Sequence, residues 1–233
     1  NQRYQWSDRN FNANYGGIPK NVKLHVTDKL HQTLPLWSHL KTTGVYIYAL
    51  DFDLPGKAAT IHAESEVRNE HPTPRTFTYD VTLVDMERRV VKEFSTEATT
   101  LAPGETRIVK AAGRVSGLNF WSWGYGYLYT VETTLKVDGR AVDTVSTRTG
   151  FRKTEFGNGV VKLNGRILQM KGYAQRTSNE WPALGNAVPP WLSDFSNGLM
   201  VESGGNLVRW MHIAASKQDV ESCDRVGLIQ AMP

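Results

Sequence analysis

Two polar side chains within one short apolar stretch are the first candidates for chemistry in this sequence. Residues 205–212 are Gly-Asn-Leu-Val-Arg-Trp-Met-His, and an apolar run without clean alternation is typical of a parallel strand covered on both faces. Arg209 is costly inside such a strand unless a carboxylate or an anionic ligand meets it. His212 falls at the carboxyl end of the strand, where α/β sheets place their chemistry. The pattern therefore predicts a site around Arg209 and His212.

Strands and helices that alternate along the chain must position these two residues. Apolar strands are predicted over residues 167–172, 205–212 and 228–231. A polar loop over residues 174–184 follows the first of them. The order strand, helix, strand, helix, strand predicts the first three βα units of a (β/α)8 TIM barrel. We therefore expect this chain to be a piece of a longer polypeptide.

The first of the two helices is predicted after the polar loop. Pro189 and Pro190 open it, because proline is tolerated in the first turn of a helix. Leu192, Phe195 and Leu199 recur at helical spacing, so they are predicted to form its buried face.

The second helix is predicted from its two ends. Ser216 and Asp219 form a capping-box pattern, and Gly227 is placed for a C-cap. Val220 and Cys223 are predicted to face inward. With one cysteine, the chain has neither an internal disulfide nor a zinc cluster of cysteines, and a packed thiol is the preferred interpretation over a nucleophile.

Residues 41–149 predict an immunoglobulin-like β-sandwich, because strand patterns follow one another there without a helical pattern. The predicted strands are residues 45–52, 59–69, 75–84, 90–94, 106–115, 127–137 and 141–149. Asp138 and Gly139 between the last two give a strong hairpin signal. The paired cysteines of antibody domains are absent, so apolar burial must hold this sandwich together.

One strand is predicted before the sandwich, over residues 21–27, with Val22, Leu24 and Val26 on one face. So short a strand is not stable alone. We therefore interpret residues 1–40 as the end of another β-sandwich followed by a linker. The predicted domains are residues 1–40, 41–149 and 150–233.

Five short motifs follow one another from residue 150 to residue 229. They are Gly-Phe-Arg at 150–152, Lys-Leu-Asn-Gly-Arg at 162–166, Met-Lys-Gly-Tyr at 170–173, the stretch 205–212, and Cys-Asp-Arg-Val-Gly-Leu-Ile at 223–229. In this order they resemble the entry into the barrel of glycoside hydrolase family 2, the β-galactosidase and β-glucuronidase family. Residues 14–18, with Asn21 and Val22, resemble the close of that family's jelly-roll sugar-binding domain.

The resemblance implies a β-galactosidase-like enzyme that hydrolyses terminal β-galactosides with retention of configuration. Retaining enzymes use two carboxylic acids about 5 to 5.5 Å apart, and the resemblance places both glutamates after barrel strands four and seven. No catalytic residue is therefore expected in this chain, which should be inactive alone. Glu180 is the one glutamate predicted at the active-site end, and a solvated or salt-bridged role is preferred for it.

The resemblance also implies supporting residues. Arg209 matches the arginine beside the nucleophilic carboxylate, where its fork of donors keeps that acid ionised; the alternative is a structural ion pair. His212 matches a histidine that contacts a sugar hydroxyl or the transition state; the alternative is a histidine satisfied within a turn. Gln175 and Arg176 end the loop after the first strand and are predicted to reach a sugar hydroxyl or an anionic group.

The predicted rim of the site departs from the family pattern. Residues 172–176 stand where many members carry asparagine and histidine, and residues 230–233 lack the usual acidic pair. Ile213 follows His212 in place of tyrosine. Together with Arg176, these departures indicate an anionic or polysaccharide-derived glycoside.

An aromatic loop, residues 118–127, lies between the fifth and sixth predicted strands of the sandwich. The flat faces of Trp121 and Trp123 favour stacking on a pyranose ring, and a non-catalytic carbohydrate-binding or scaffold module is therefore the alternative function. The preferred interpretation is a seam between sandwich and barrel, because the family has a comparable structural loop.

Composition limits the classes of partner. Hydrophobic residues make up 40% and charged residues 21% of the chain, and the net charge of +4 is spread without a basic block. This pattern argues against nucleic acid and membrane surfaces as partners. No cofactor or metal motif is recognised. The expected partners are a carbohydrate, the rest of the barrel polypeptide and a second copy of the chain; a periplasmic or secreted location is the hypothesis for the compartment.

Overall fold

A computed structural model describes residues 18, 21–38, 40–175, 181, 184, 187–211 and 215–232. Within these residues strands predominate over two α-helices, α1 (Pro190–Glu202) and α2 (Lys217–Val226). The strands are β1 (Leu30–Gln32), β2 (Val45–Asp53), β3 (Ala58–Asn69), β4 (Arg75–Val84), β5 (Val90–Ser95), β6 (Thr99–Leu101), β7 (Thr106–Val115), β8 (Tyr129–Val137), β9 (Arg140–Thr149), β10 (Thr154–Gly157), β11 (Val160–Leu163), β12 (Arg166–Leu168), β13 (Gly172–Gln175), β14 (Leu207–Trp210) and β15 (Ile229–Ala231). The described chain is therefore mainly β, and its sheets are open.

The chain divides into two compact units, each described by itself. Residues 25–120 and 128–154 form the first, which we call the sandwich unit. The described residues of 1–24, 121–127 and 155–233 form the second, which we call the βα unit. The aromatic segment 121–127 thus belongs to the βα unit.

Two antiparallel sheets build the sandwich unit. β3 pairs with β1, β2 and β7, and the second sheet has the order β5-β4-β8-β9 with β6 added on β4. Side chains at alternating positions of β3 and β4, such as Ile61 and Leu83, are fully buried because one face of each strand turns into the core. All seven predicted strands are confirmed to within two residues. The immunoglobulin-like topology stays a prediction.

The hairpin turn predicted at Asp138 and Gly139 is present, and Asn164 and Gly165 form a second turn of the same kind. Asp138 and Gly139 have φ of 48° and 74°, and Asn164 and Gly165 have φ of 50° and 75°. Two successive positive φ values give the turn whose twist matches that of the flanking antiparallel strands. The first turn joins β8 to β9, and the second joins β11 to β12.

The predicted strand over residues 21–27 is wrong. These residues lie outside every described strand, and the side chains of Val22, Leu24 and Val26 are 80%, 89% and 85% exposed. Alternation makes a strand only where backbone partners complete its hydrogen bonds, and no described strand pairs with this segment. The first paired residues are those of β1, which the sequence did not predict.

A buried polar network holds β1 in the core of the sandwich unit. The side-chain oxygen of Gln32 accepts hydrogen bonds from Ser65 Oγ at 2.9 Å and Thr133 Oγ1 at 2.6 Å. Its amide nitrogen donates to the Thr133 carbonyl at 2.9 Å and to Asp143 Oδ2 at 3.0 Å. Because each polar atom has a partner, the network joins strands of both sheets without an unsatisfied amide.

Tyr79 makes the stability of this network depend on pH. Its hydroxyl lies 2.7 Å from Ser65 Oγ, and burial raises the pKa of Tyr79 to about 12. Unfolded tyrosine titrates near pH 10, so the stabilisation is complete below about pH 10 and is lost as pH rises towards 12. Over this window we expect wild type to lose roughly 2 to 3 kcal/mol of unfolding free energy more than Tyr79→Phe.

Urea unfolding of both proteins between pH 9 and 12 measures this difference. The phenylalanine variant is the control, because it keeps the ring but has no hydroxyl to ionise. Parallel stability curves for the two proteins would contradict the assignment.

The βα unit contains a parallel sheet in the order β13-β14-β15. Gly172 pairs with Leu207, and Leu207 pairs with Ile229. α1 and α2 lie between these strands in the chain, so the predicted alternation of strand and helix is confirmed. Closure into a (β/α)8 barrel stays a prediction.

The first parallel strand begins where the prediction has it ending. Ile167 and Leu168 belong to β12, which pairs antiparallel with β11, and β13 starts at Gly172. A Cβ at residue 172 would lie 2.3 Å from the carbonyl oxygen of Leu207. Glycine therefore permits the close approach of β13 to β14, and part of the predicted polar loop belongs to the strand.

The predicted buried face of α1 is wrong in two of three residues. Leu192 is buried, but Phe195 and Leu199 are 54% and 49% exposed. The buried residues beside Leu192 are Ser193 and Asn197. Helical spacing identifies which residues share a face, but the neighbouring helix determines which face is covered.

Polar side chains connect α1 to α2. Ser193 Oγ donates to Asp219 Oδ1 at 2.8 Å, and Asn197 Nδ2 donates to Ser222 Oγ at 2.9 Å. All four residues are buried. Buried polar side chains need hydrogen-bond partners, and each helix supplies them to the other. The contact between α1 and α2 therefore uses the polar side of α1.

The ends of α2 are those predicted. Ser216 and Asp219 form a capping box, and Gly227 caps the other end with a φ of 76°. Neither α1 nor α2, the α-helices in the described part of the chain, is long and apolar enough to cross a bilayer.

Candidate functional site

The strand β14 has one face against the helices and one open face. Val208 and Trp210 are buried and form a cluster with Cys223 and Leu228. Arg209 lies between them in the strand, so its side chain belongs to the opposite face, where it is exposed. The prediction of a strand covered on both faces is therefore wrong for the described residues.

Small residues flank Arg209 on both neighbouring strands. β13 places Ala174 in register with Arg209, and β15 places Ala231 on its other side. No described carboxylate forms an ion pair with the guanidinium. Its planar set of donors is therefore accessible to an anionic group that approaches this face of the sheet.

Asn206 holds the beginning of β14 to the segment before β13. Its side-chain oxygen accepts a hydrogen bond from the Lys171 amide at 2.8 Å, and its side-chain nitrogen donates to the Gln169 carbonyl at 2.8 Å. Asn206 is buried, so water competes little for these bonds. No pattern in the sequence singles out Asn206, because an asparagine before an apolar strand is equally compatible with a turn.

Trp210 is anchored by its indole nitrogen. Nε1 donates to Gln230 Oε1 at 3.0 Å, and Gln230 Nε2 donates to the Val220 carbonyl at 3.4 Å. The hydrogen bonds connect β14 through β15 to α2, so the strand that carries Arg209 is held on its helix side.

Gln175 lies on the helix side of the sheet. Its side chain is buried, and its oxygen accepts a hydrogen bond from the Tyr173 hydroxyl at 2.9 Å. Tyr173 packs against the cluster around Val208. Gln175 and Arg209 therefore turn to opposite faces, and this placement does not support a sugar contact by Gln175 on the Arg209 face.

Several predicted features lie outside the described residues, and their roles stay predictions. They are residues 14–17, which belong to the segment that resembles the close of the sugar-binding domain, and Arg176, Glu180, His212, Ile213 and Pro233.

The aromatic segment 121–127 packs against α2 within the βα unit. Trp121 is 4% exposed, and its Nε1 donates to the Asp224 carbonyl at 2.8 Å. A Cβ at Gly126 would lie 1.9 Å from the Arg225 carbonyl oxygen, so only glycine permits this contact. A buried ring has no open face for a sugar, and the geometry therefore favours a packing role for Trp121.

Trp123 is more accessible than Trp121. The Arg166 guanidinium carbon lies 4.7 Å from the centre of its ring, within range of a cation–π interaction. Tyr125 and Tyr127 stack nearby in the chain with ring centres 5.9 Å apart. If the segment contacts a sugar, Trp123 rather than Trp121 is the candidate ring.

Comparison with known proteins identifies the family of the chain. The sequence profile of glycosyl hydrolases family 2 matches residues 43–152. A β-glucuronidase of Formosa agariphila is 34% identical over 98% of this chain. The chain belongs to this family. The resemblance deduced from the five motifs is thereby confirmed.

The relatives in family 2 are much longer than this chain. The chain covers 23% of the Formosa agariphila β-glucuronidase. A β-galactosidase of Priestia megaterium is 24% identical over 97% of the chain, which covers 21% of that relative. A β-galactosidase of Bacteroides ovatus is 26% identical over 91% of the chain, which covers 24% of it.

Solved structures from family 2 share the fold. A family 2 β-glucuronidase has a TM-score of 0.81 and 34% identity over 89% of this chain and 22% of its own. A member from Bacteroides cellulosilyticus has a TM-score of 0.77 over 88% of this chain and 26% of its own, at 23% identity. The second likeness concerns the fold alone.

Cys223 of this family 2 chain is a packed thiol, as predicted. It is fully buried beside Val208 and Trp210, and burial raises its pKa far above the usual range of a thiol. A thiol that stays protonated is a poor nucleophile and a poor metal ligand. The described residues contain no cluster of three histidine, cysteine or acidic side chains that could hold a metal ion.

Proposed function

We propose that the full-length protein is a retaining glycosidase that hydrolyses terminal β-glucuronides. The observation that carries this proposal is the 34% identity over 98% of the chain to a protein described as a β-glucuronidase. The β-galactosidases that align over similar lengths are 24% and 26% identical. The sequence motifs alone favoured a β-galactosidase, and these relatives favour the anionic sugar instead.

The open face of the parallel sheet supports the proposed chemistry. A retaining mechanism needs an acid and base and a nucleophilic carboxylate about 5 to 5.5 Å apart. We expect both to come from residues outside the described part of the chain, and Arg209 to donate hydrogen bonds to the nucleophile. Two parallel donors would keep that carboxylate ionised and oriented towards the anomeric carbon.

Paired substrates test the choice of sugar. We expect the full-length protein to hydrolyse 4-nitrophenyl β-D-glucuronide with a kcat/KM at least about a hundredfold above that for the β-D-galactoside. The galactoside has no carboxylate, so the polar groups that bind the glucuronide carboxylate would be left without a partner, which is costly. The 233-residue chain produced alone is expected to show no turnover. A preference for the galactoside would contradict the glucuronide assignment, and absence of turnover by the full-length protein would contradict the enzyme class.

The second candidate is hydrolysis of β-galactosides, because the relatives from Priestia megaterium and Bacteroides ovatus are β-galactosidases. A non-catalytic carbohydrate-binding module is less well supported, because Trp121 is buried. The proposal also includes a homo-oligomeric enzyme with a periplasmic or secreted location.

A further inference from the structure

A groove of about 440 Å³ lies at the amino-terminal end of the parallel sheet in the βα unit. Its lining includes Trp123, Ile167, Gln169, Lys171 and Asn206. Lys171 directly precedes β13, and Asn206 directly precedes β14. All of these residues belong to one compact unit, so the groove is a feature of the βα unit itself.

Asn206 fixes the backbone that carries the polar side chains of the groove. Its buried side chain bonds the Lys171 amide and the Gln169 carbonyl, and its backbone amide donates to the Lys171 carbonyl at 2.8 Å. Gly204 also lines the groove, and a Cβ there would meet no atom within 4 Å. The backbone of Gln169 and Lys171 is therefore held in place, and the lining at Gly204 leaves room for a ligand.

Apolar and polar groups lie side by side in the lining. Trp123 is half-buried, and Ile167 is 60% exposed. The side chains of Gln169 and Lys171 are exposed, and both carry hydrogen-bond donors. A pyranose ring has the same division, because its face consists of C–H groups and its edge of hydroxyl groups. The lining therefore suits a sugar.

Arg166 holds the indole ring of Trp123 from one side. Its guanidinium carbon lies 4.7 Å from the centre of the ring, and Arg166 is not part of the groove lining. A flat ring has two faces, and a cation on one of them limits the freedom of the ring. We assign the opposite face of Trp123 to the ligand.

Lys171 is the one charged side chain among the described residues that line the groove. Its ammonium group forms no ion pair with a described carboxylate. Glu202, which is exposed at the end of α1, lies outside the lining. An ammonium group in a concave site attracts an acidic group and donates hydrogen bonds to it.

We propose that this groove binds an oligosaccharide that contains uronic acid, with a sugar ring against Trp123 and its carboxylate at Lys171. The C–H groups of the pyranose face are attracted to the negative face of the indole. Gln169 donates to a hydroxyl group at the edge of the same ring. The choice of a saccharide rests on the proposed function, and the groove extends that function by giving the enzyme a contact with internal sugars of a polymer.

A purely apolar ligand fits the groove less well. It would remove water from Gln169 and Lys171 without offering them hydrogen-bond partners, and the loss is largest for the ammonium group. Ile167 and Trp123 alone would then have to compensate for this cost.

Affinity electrophoresis of the full-length protein in native gels tests the proposal. The gels contain β-1,4-linked polyglucuronic acid or, as the neutral counterpart, hydroxyethyl cellulose, and mobility is compared with that in gels without polysaccharide. Chain ends are scarce in a long polymer, so the retardation reports on internal sugars. We expect retardation by the acidic polymer and much less by the neutral one.

Two variants assign the binding to the groove. Trp123→Ala should raise the dissociation constant for the acidic polymer about tenfold through loss of the ring. Lys171→Gln should raise it about twofold to fivefold at low salt and less at high salt, because an exposed charge pair is weak and screened. Lys171 is exposed, so this variant tests the groove even if Trp123→Ala unfolds in a melting curve.

Matched controls separate the groove from the rest of the surface. Trp191→Ala removes a tryptophan that is 67% exposed on α1, and Arg140→Gln removes an exposed cation; both should leave retardation unchanged. Equal retardation by the neutral polymer, none by the acidic one, or an effect of Arg140→Gln as large as that of Lys171→Gln would overturn the proposal. Unchanged affinity of folded Trp123→Ala would do the same. Because retardation measures binding without turnover, its result is independent of whether the full-length protein hydrolyses glucuronides.

Discussion

Arg209→Ala in the full-length protein is expected to lower kcat/KM by about 10²- to 10³-fold, the usual effect of removing one donor that stabilises charge in the transition state. The fall should appear mainly in kcat, because the arginine is proposed to orient the nucleophile. Thermal unfolding should change little, since Arg209 is exposed and has no ion pair with a described carboxylate. Steady-state kinetics on 4-nitrophenyl β-D-glucuronide and a melting curve measure the two effects.

The control variants separate the effect of the positive charge of Arg209 from the effect of its planar pair of donors. Arg209→Lys keeps the charge but loses the planar pair of donors, so we expect it to recover only part of the activity. Arg140→Ala removes an exposed arginine from β9 in the sandwich unit and should leave kcat/KM unchanged. If Arg209→Ala retained full activity, or if it lost activity only through unfolding, Arg209 would have no role beside the nucleophile.

Trp210→Ala is expected to lower the unfolding free energy of the βα unit by about 3 to 5 kcal/mol, the usual cost of deleting a buried tryptophan. Trp210 is 1% exposed and packs in the cluster with Val208, Cys223 and Leu228. Urea unfolding followed by the helical circular-dichroism signal is the measurement, because α1 and α2 belong to the same unit as Trp210.

Two variants control for the size and the polar group of Trp210. Trp191→Ala deletes a tryptophan that is 67% exposed on α1, and its effect should stay within about 0.5 kcal/mol. Trp210→Phe keeps much of the ring but loses the hydrogen bond to Gln230, so an intermediate loss is expected. Equal losses for Trp191→Ala and Trp210→Ala would show that the cluster is not the stabilising core of this unit.

Alternation predicted the sandwich strands well because their two faces differ. In β4, every second residue is apolar and turns into the core, namely Phe77, Tyr79, Val81 and Leu83. The alternation of apolar residues in the sequence therefore matches the alternation of buried residues in the strand. The same period over residues 21–27 predicted a strand that the structure does not have. Pairing depends on another segment of backbone, and no pattern within seven residues can specify that segment.

The helix α1 shows the same limit for packing. Its hydrophobic spacing predicted Phe195 and Leu199 as buried, but α2 offers Asp219 and Ser222 to the opposite side of the helix. These polar partners belong to α2, which is separated from α1 in the chain by β14. Their position becomes apparent only when the helices are placed side by side.

For the candidate site, the sequence alone determined two things. The order of five short motifs indicated the family, and a costly cation in an apolar strand singled out Arg209. Only the tertiary structure decided that Arg209 lies on the open face between two alanines, that Gln175 turns to the helices, and that Trp121 is buried. The physical reason is that strand alternation separates residues into two faces, whereas the packing of α1 and α2 from elsewhere in the chain determines which of those faces is covered.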